Sequence, residues 1–226
     1  MFADFLELVF PNICVACEDA LLKGEKNICI ACMHKLPKTG FHLETDNDLC
    51  RKLWGRVPLT YGLAYLSFKK GNCVQSILHH IKYKEAKSAA TMLGHWYGEE
   101  LAEAGFCDKF DLIVPVPLHK KKLKKRGYNQ SSCFGIGLAE RLSVTFSETT
   151  LVRTKERSTQ TNKDRVERWT NVHDLYQVRD QQDLSNKRVL LVDDVATTGA
   201  TIEVCANQLL MAGAAEISIA VIAMAY

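Results

Sequence analysis

Residues 189–201 read VLLVDDVATTGAT, and this stretch decides the fold. Its first four residues form an apolar run that is typical of a strand buried in a parallel sheet. Two adjacent carboxylates, Asp193 and Asp194, follow directly. Because an unpaired buried carboxylate is costly, we expect the strand to terminate at this pair and the two acids to serve a ligand.

The second half of the stretch predicts a phosphate-binding turn. Gly199 permits a backbone conformation that other residues resist, and the small residues around it let N–H groups approach a ligand closely. A helix that begins near Ala200 would point its positive end at this turn. Carboxylates suit sugar hydroxyls or a hydrated Mg²⁺, so acids beside such a turn predict a ribose 5-phosphate ligand.

Strand patterns alternate with helical patterns along the rest of the chain. The strands are expected at 59–68, 111–118, 184–194 and 216–224, and the helices at 72–104, 129–141 and 200–212. This alternation predicts an α/β fold with a parallel sheet flanked by helices, in which ligands bind at the carboxyl ends of the strands. We therefore expect a domain over 59–226, preceded over 1–58 by a helix, a cysteine knuckle and a connector.

The composition of the 226 residues is that of a globular protein, with 47% hydrophobic and 24% charged residues. No apolar run approaches the roughly 18 residues of a membrane helix, so no membrane insertion is expected. The N-terminal MFADFLELVF contains acids and lacks a basic start, which argues against a signal peptide. It predicts an amphipathic helix with Phe2, Phe5, Leu6 and Val9 on one side, and we expect a cytoplasmic protein. A net charge of +3 is too small to predict nucleic-acid binding by itself.

Two CxxC pairs predict a metal site near the N-terminus. The candidate ligands are Cys14, Cys17, Cys29 and Cys32, with eleven residues between the pairs. Four sulfur ligands suit a structural Zn²⁺ and leave no open position for catalysis. An iron–sulfur cluster and four free thiols are the alternatives. The other cysteines show no pairing pattern and are expected to behave as small apolar residues.

Other common site motifs do not account for the chain. It contains no GxxxxGK[ST], HExxH or GxSxG pattern, and Phe134 is followed by a lone GxG without a preceding strand. His79 and His80 lie in an otherwise apolar helical pattern, which favours packing or surface roles over metal ligation.

VLLVDDVATTGAT resembles the thirteen-residue phosphoribosyl-pyrophosphate motif of type I phosphoribosyltransferases. The resemblance implies that Asp193 and Asp194 are catalytic residues that bind the ribose hydroxyls. It implies that the 5-phosphate is bound by Val195, Ala196, Thr197, Thr198, Gly199, Ala200 and Thr201. With the four cysteines, DLIVPVPL (111–118) and KKRGYNQS (124–131), almost the whole chain resembles the ComF/GntX family. Many members carry a second CxxC pair, whereas LCRKLWGR has only Cys50, so a second metal site is not expected.

Two basic segments flank the expected cleft. KKKLKKR (120–126) resembles in position the loop that contacts pyrophosphate, which makes Lys120 and Arg126 candidate anion contacts. Residues 153–168 resemble the flexible hood that closes over the substrate, with Lys163 and Arg165 as candidates. Solvated loops are the alternative for both segments. Another alternative is that the two segments bind a nucleic-acid backbone. Tyr128 and Trp169 flank the segments, and aromatic rings stack on bases.

The resemblance implies a protein that binds phosphoribosyl pyrophosphate with Mg²⁺ and transfers the phosphoribosyl group to a nitrogen acceptor. No stretch of the sequence identifies the acceptor. The family is associated with DNA uptake during bacterial competence, so the alternative is a non-catalytic module. Such a module would bind a phosphoribosyl ligand together with single-stranded DNA or a competence protein. The cysteine knuckle favours this alternative, because transferase chemistry does not require it.

Overall fold

The computed structural model describes residues 12–154, 175–179 and 183–226. The amphipathic helix expected in residues 1–10 lies outside these ranges, as does the expected hood from residue 155 onward. Lys163, Arg165 and Trp169 therefore have no structural description.

The described helices are short or of ordinary length: α1 Ile30–His34, α2 Asp48–Leu53, α3 Cys73–Tyr83, α4 Lys87–Glu103, α5 Lys120–Arg126, α6 Gln130–Leu142 and α7 Ala200–Met211. The described strands are β1 Leu59–Phe68, β2 Leu112–Pro115, β3 Thr145–Phe146, β4 Leu151–Arg153, β5 Tyr176–Val178, β6 Arg188–Ala196 and β7 Glu216–Ala225. None of the helices in the described part of the chain combines the length and hydrophobicity that a bilayer crossing requires.

Five strands form one parallel sheet in the order β1–β7–β6–β2–β3. The apolar strand of residues 189–192 lies at its centre, as expected for a strand that is buried on both faces. The expectation of a helix-flanked parallel α/β sheet is confirmed. A separate antiparallel pair, β4–β5, was not predicted, since three residues per strand carry too little pattern to be recognised.

The sheet has a hydrophobic core on each face, because alternate side chains of a strand point to opposite faces. On one face Leu190 and Val192 belong to a cluster with α3, α4 and α6. The knuckle residues Cys14 and Ile28 join this same cluster. On the other face Leu191 packs in a cluster with α2, α7 and the β4–β5 pair.

Two expected elements differ from the structure. The helical pattern over 72–104 is broken into α3 and α4 at Glu85, which has a positive φ of 56°. The basic segment 120–126 is a helix and not a loop, because lysine and arginine are good helix formers. The His119 side chain accepts a hydrogen bond from the Lys121 N–H at its start, and Gly127 with a φ of 76° ends it.

Helices α4 and α6 approach each other closely through glycines. A Cβ atom on Gly137 would lie 2.3 Å from the Thr91 carbonyl oxygen, and one on Gly94 would lie equally close to the Phe134 carbonyl oxygen. Any side chain at either position would therefore push the helices apart. This contact holds the middle of α6 against α4, and the first turn of α6 carries residues of the site described below.

Candidate functional site

A cavity of about 180 Å³ lies at the carboxyl ends of β2 and β6. Sheets of this type bind ligands at that edge. The lining comes from eight parts of the chain: Lys82, Val116, Pro117, Leu118, Lys122, Arg126, Asn129, Gln130, Ser131, Arg153, Tyr176, Asp193, Asp194 and Thr201.

The two acids reach this cavity because adjacent strands differ in length. Pairing of β2 with β6 ends where Pro115 lies opposite Val192, although β6 continues to Ala196 alongside β7. The β2 side of β6 is therefore open from Asp193 onward. The expectation that the strand terminates at the acids was wrong, since it is the neighbouring strand that terminates.

The carboxyl of Asp193 has a raised pKa. Burial raises the pKa of its carboxyl to about 7, and the negative charge of Asp194 acts in the same direction. Two donors oppose this shift. The Asp194 N–H donates to Asp193 Oδ1 at 2.8 Å, and Ser131 Oγ donates to the same oxygen at 3.0 Å. Asp193 Oδ1 therefore accepts two hydrogen bonds from the protein itself.

Asp194 is paired with a lysine that the sequence did not identify. Lys82 Nζ lies 3.1 Å from Asp194 Oδ2, and both side chains are largely buried. Lys82 lies in the last turn of α3. A lysine near the end of an amphipathic helix is an ordinary surface residue by pattern, so only the packing of α3 against the sheet shows its position in the cavity.

The turn after β6 has the features expected of a phosphate site. Gly199 has a φ of 76° and precedes the twelve-residue helix α7 without a side-chain cap. Within the described residues, the N–H groups of Thr198 and Gly199 donate to no acceptor. Thr201 lines the cavity. Residues 195–200 are not among the lining residues, and they connect Thr201 to the two acids.

The basic helix α5 contributes unequally to the cavity. Lys122 and Arg126 line it, but Lys120 does not. The Arg126 guanidinium donates to Gln130 Oε1 at 2.9 Å and lies 5.3 Å from the centre of the Tyr83 ring. Tyr128 is buried and its hydroxyl donates to the Ile81 carbonyl oxygen, so it cannot stack on a base as the sequence suggested.

Two residues that line the cavity each have a buried donor without an acceptor among the described residues. Gln130 is 1% exposed, and its Nε2 has no hydrogen-bond partner among the described residues. The Nε of Arg153 is in the same situation. A buried donor without an acceptor costs free energy, so these two groups favour a ligand that brings oxygen atoms into the cavity. Gln130 and Ser131 belong to KKRGYNQS, but the motif alone did not show their roles.

The four knuckle cysteines form a second candidate site. Their sulfur atoms all lie within 4.8 Å of one another, and the Cys17 and Cys29 sulfurs are 3.9 Å apart. A tetrahedral metal with metal–sulfur bonds of about 2.3 Å separates sulfurs by roughly 3.8 Å. Burial and the neighbouring sulfurs raise the pKa of Cys32 well above its ordinary value. The cluster therefore needs a cation to ionise fully, and its donor set fits one.

The two histidines singled out in the sequence hold no metal cluster in the described part of the chain. His80 is buried, and its Nε2 lies 3.6 Å from Glu18 Oε1. His79 is exposed and packs against Tyr83. Both positions agree with packing and surface roles.

Comparison with known proteins finds two kinds of similarity. Residues 130–225 match the family described as "Phosphoribosyl transferase domain". The chain is 24% identical to "DNA utilization protein YhgH" of Escherichia coli over 94% of its own length and 96% of that protein's. It is 25% identical to "Competence protein ComFC" of Bacillus subtilis, over 86% of this chain and 82% of the relative. It is 30% identical to "Competence protein F" of Haemophilus influenzae over 48% of each chain.

The raised pKa of Asp193 predicts a pH-dependent stability. The native carboxyl binds its proton more tightly than the unfolded one, whose pKa is near 3.8, so this group's contribution to stability falls as the pH rises from about 4 to about 7. Asp193→Asn should therefore be more stable than the wild type at pH 8, by about 1–3 kcal/mol, with a smaller difference at pH 4.5. Urea unfolding at both pH values measures this.

The control for this measurement is Asp108→Asn, which removes a carboxylate whose side chain is 85% exposed. It should leave the pH dependence of the wild type unchanged. If Asp193→Asn showed the same pH dependence as the wild type, the raised pKa of Asp193 would be wrong.

Proposed function

We propose, for a chain that belongs to the ComF family of type I phosphoribosyltransferase-fold proteins, that the cavity binds phosphoribosyl pyrophosphate together with Mg²⁺. One observation carries the proposal: two carboxylates and two unpaired buried donors line one cavity beside a phosphate-type turn. Carboxylates accept from hydroxyls and bind Mg²⁺, whereas the donors and cations attract phosphate oxygens.

In this proposal each part of the ligand has its own partners. Asp193 and Asp194 hold the ribose hydroxyls, and the turn of residues 195–201 binds the 5-phosphate. The diphosphate is bound by Lys82, Lys122, Arg126 and Arg153, with Lys120, Lys163 and Arg165 completing the set. When bound, Mg²⁺ would neutralise charge that develops on the leaving diphosphate. The Lys82–Asp194 ion pair must loosen for this, because Lys82 Nζ occupies one oxygen of the acid.

The reaction would be transfer of the phosphoribosyl group to a nitrogen acceptor. The bond from the anomeric carbon to the diphosphate oxygen breaks with its electron pair leaving on the diphosphate. A bond from the acceptor nitrogen to the same carbon forms, and the nitrogen loses a proton. The transition state resembles a sugar cation, so the chain's residues act by positioning and charge stabilisation, without a protein nucleophile.

A pyrophosphate-release assay tests the proposal. Protein, Mg²⁺ and phosphoribosyl pyrophosphate are incubated with a panel of nucleobases and amines. Release that depends on one acceptor is expected, and Asp194→Asn should reduce it by about 100-fold, since it removes a charge that acts in the transition state. Asp108→Asn should leave release unchanged.

Two other outcomes of this assay have clear meanings. Tight binding of phosphoribosyl pyrophosphate without release would support the non-catalytic module. Absence of binding by the wild-type protein would contradict both versions of the proposal.

We further propose that the four cysteines hold a structural Zn²⁺. They would belong to a unit formed by residues 1–58, which precedes a domain at 59–226. The protein would be cytoplasmic. Two N–H groups already donate to sulfur, from Cys29 to Cys14 Sγ at 3.3 Å and from Cys32 to Cys29 Sγ at 3.4 Å. Such bonds favour thiolates, the form that binds metal. Elemental analysis of purified protein should find one zinc per chain and Cys17→Ser should lose it. Iron in its place would support a cluster instead.

The second candidate function is binding of single-stranded DNA, either alongside the ligand or in place of catalysis. One observation favours it. Helix α5 has six cations and no buried residue, and Tyr83, which Arg126 overlies, is 56% exposed. A basic surface with an exposed ring suits a single strand. Three relatives carry names that refer to DNA utilization or competence.

The salt dependence of DNA affinity tests this second function. Each phosphate contact on a single strand contributes a slope of about −0.7 to log K against log salt. Replacing Lys121 and Lys124 with glutamine should therefore make the slope shallower by about 1.4. The same change at Lys69 and Lys70, which are exposed and follow the edge strand β1, is the control and should alter the slope little. An affinity that does not change with salt would contradict the proposal that the protein binds DNA.

A further inference from the structure

The outer side of the turn after β6 is held by side chains from the segment that precedes the sheet. Lys52, in α2, donates from Nζ to the Thr197 carbonyl oxygen at 2.8 Å. The same ammonium donates to the Ala225 carbonyl oxygen at 2.8 Å. Lys52 therefore fastens the turn to the last residue of β7. This contact was not expected from the sequence, because residues 36–58 have the composition of a connector.

Arg56 holds the next carbonyl in the same way. Its NH1 donates to the Thr198 carbonyl oxygen at 2.8 Å. Its Nε donates to Glu203 Oε2, also at 2.8 Å, in the first turn of α7. Leu53 packs directly against the turn, because a Cβ atom on Gly199 would lie 2.7 Å from Leu53 Cδ2. The turn is thus packed against α2 as well as hydrogen-bonded to it.

These two bonds determine where the turn's N–H groups point. The peptide units are planar and none is cis in the described residues, so the C=O and N–H of one unit point in opposite directions. The Thr197 carbonyl shares its unit with the Thr198 N–H, and the Thr198 carbonyl shares its unit with the Gly199 N–H. Holding both carbonyls toward α2 directs both N–H groups away from it. These are the same two N–H groups that lack an acceptor in the described chain.

We propose that Lys52 and Arg56 are positioning residues for the phosphate turn, which fix the Thr198 and Gly199 N–H groups in a phosphate-binding orientation before the ligand arrives. This inference rests on the proposed function, which supplies the ligand. The positioning role itself follows from the hydrogen bonds that Lys52 and Arg56 donate to the turn. A turn ordered in advance loses less entropy on binding, and so binds more tightly. Lys52 also adds positive charge behind the turn, whereas the charge of Arg56 is compensated by Glu203.

Lys52→Met tests the inference, and the chain offers a matched control on the same helix. Arg51 also lies in α2, but it pairs with Asp46 and makes no contact with the turn. Arg51→Met removes the same charge from the same element. Lys52→Arg restores the cation and a donor. Lys52→Gln serves as a second variant should the methionine variant fail to fold.

The first measurement is the NMR order parameter of the turn's N–H groups in ligand-free protein. The wild type and Arg51→Met should show values near 0.85 for Thr198 and Gly199, and Lys52→Met should show a value below about 0.6 for Thr198, whose peptide unit Lys52 holds. The second is the Kd for ribose 5-phosphate, which should rise about tenfold in Lys52→Met and recover in Lys52→Arg. The Kd for pyrophosphate should change less than about twofold, because the diphosphate contacts other residues.

The outcomes separate this inference from the proposed function. Unchanged order parameters in Lys52→Met, or an equal loss of affinity in Arg51→Met, would overturn the positioning role. A wild-type protein that does not bind ribose 5-phosphate would overturn the proposed function, and the order parameters would then decide the positioning role alone.

Discussion

The site depends on one constraint, the unequal length of two neighbouring strands. β2 ends at Pro115, whereas β6 continues to Ala196 with β7 paired along its other side. The acids are thus carried by a strand that is rigid on one side and open on the other. A rigid strand holds ligand groups more accurately than a loop does. The protein around β6 also removes much of the water from the Asp193 carboxyl, and this desolvation raises its pKa.

The charges around the cavity are complementary to a ligand with two kinds of group. Two acids lie among Lys82, Lys122, Arg126 and Arg153. A simple anion would be repelled by the acids and a simple cation by the basic residues. A sugar phosphate presents hydroxyls to the first and phosphate oxygens to the second. The Lys82–Asp194 pair compensates part of both charges, so under the proposed function selectivity would come from the spacing of the charges and not from their sum.

The sequence predicted the parallel sheet and the position of VLLVDDVATTGAT within it because its strands are long, apolar and well separated. It also grouped the four cysteines, since CxxC spacing brings sulfurs together locally. It did not predict why the acids are accessible, which depends on where a different strand ends. Lys82, Gln130, Lys52 and Arg56 were missed for a related reason. Each reaches the site through tertiary packing, and none has a local pattern that distinguishes it from an ordinary surface or helix residue.

The β4–β5 pair has a consequence for how such a protein diversifies. Its ends are fastened together, with the Thr154 N–H donating to the Leu175 carbonyl oxygen at 2.9 Å, beside the cavity residues Arg153 and Tyr176. The chain leaves this pair at one end and re-enters at the same place. Closing a longer insert there costs only about 0.6 kcal/mol for each doubling of its length. Segments of different length can therefore join β4 to β5 at this position while the sheet and its two acids keep their arrangement.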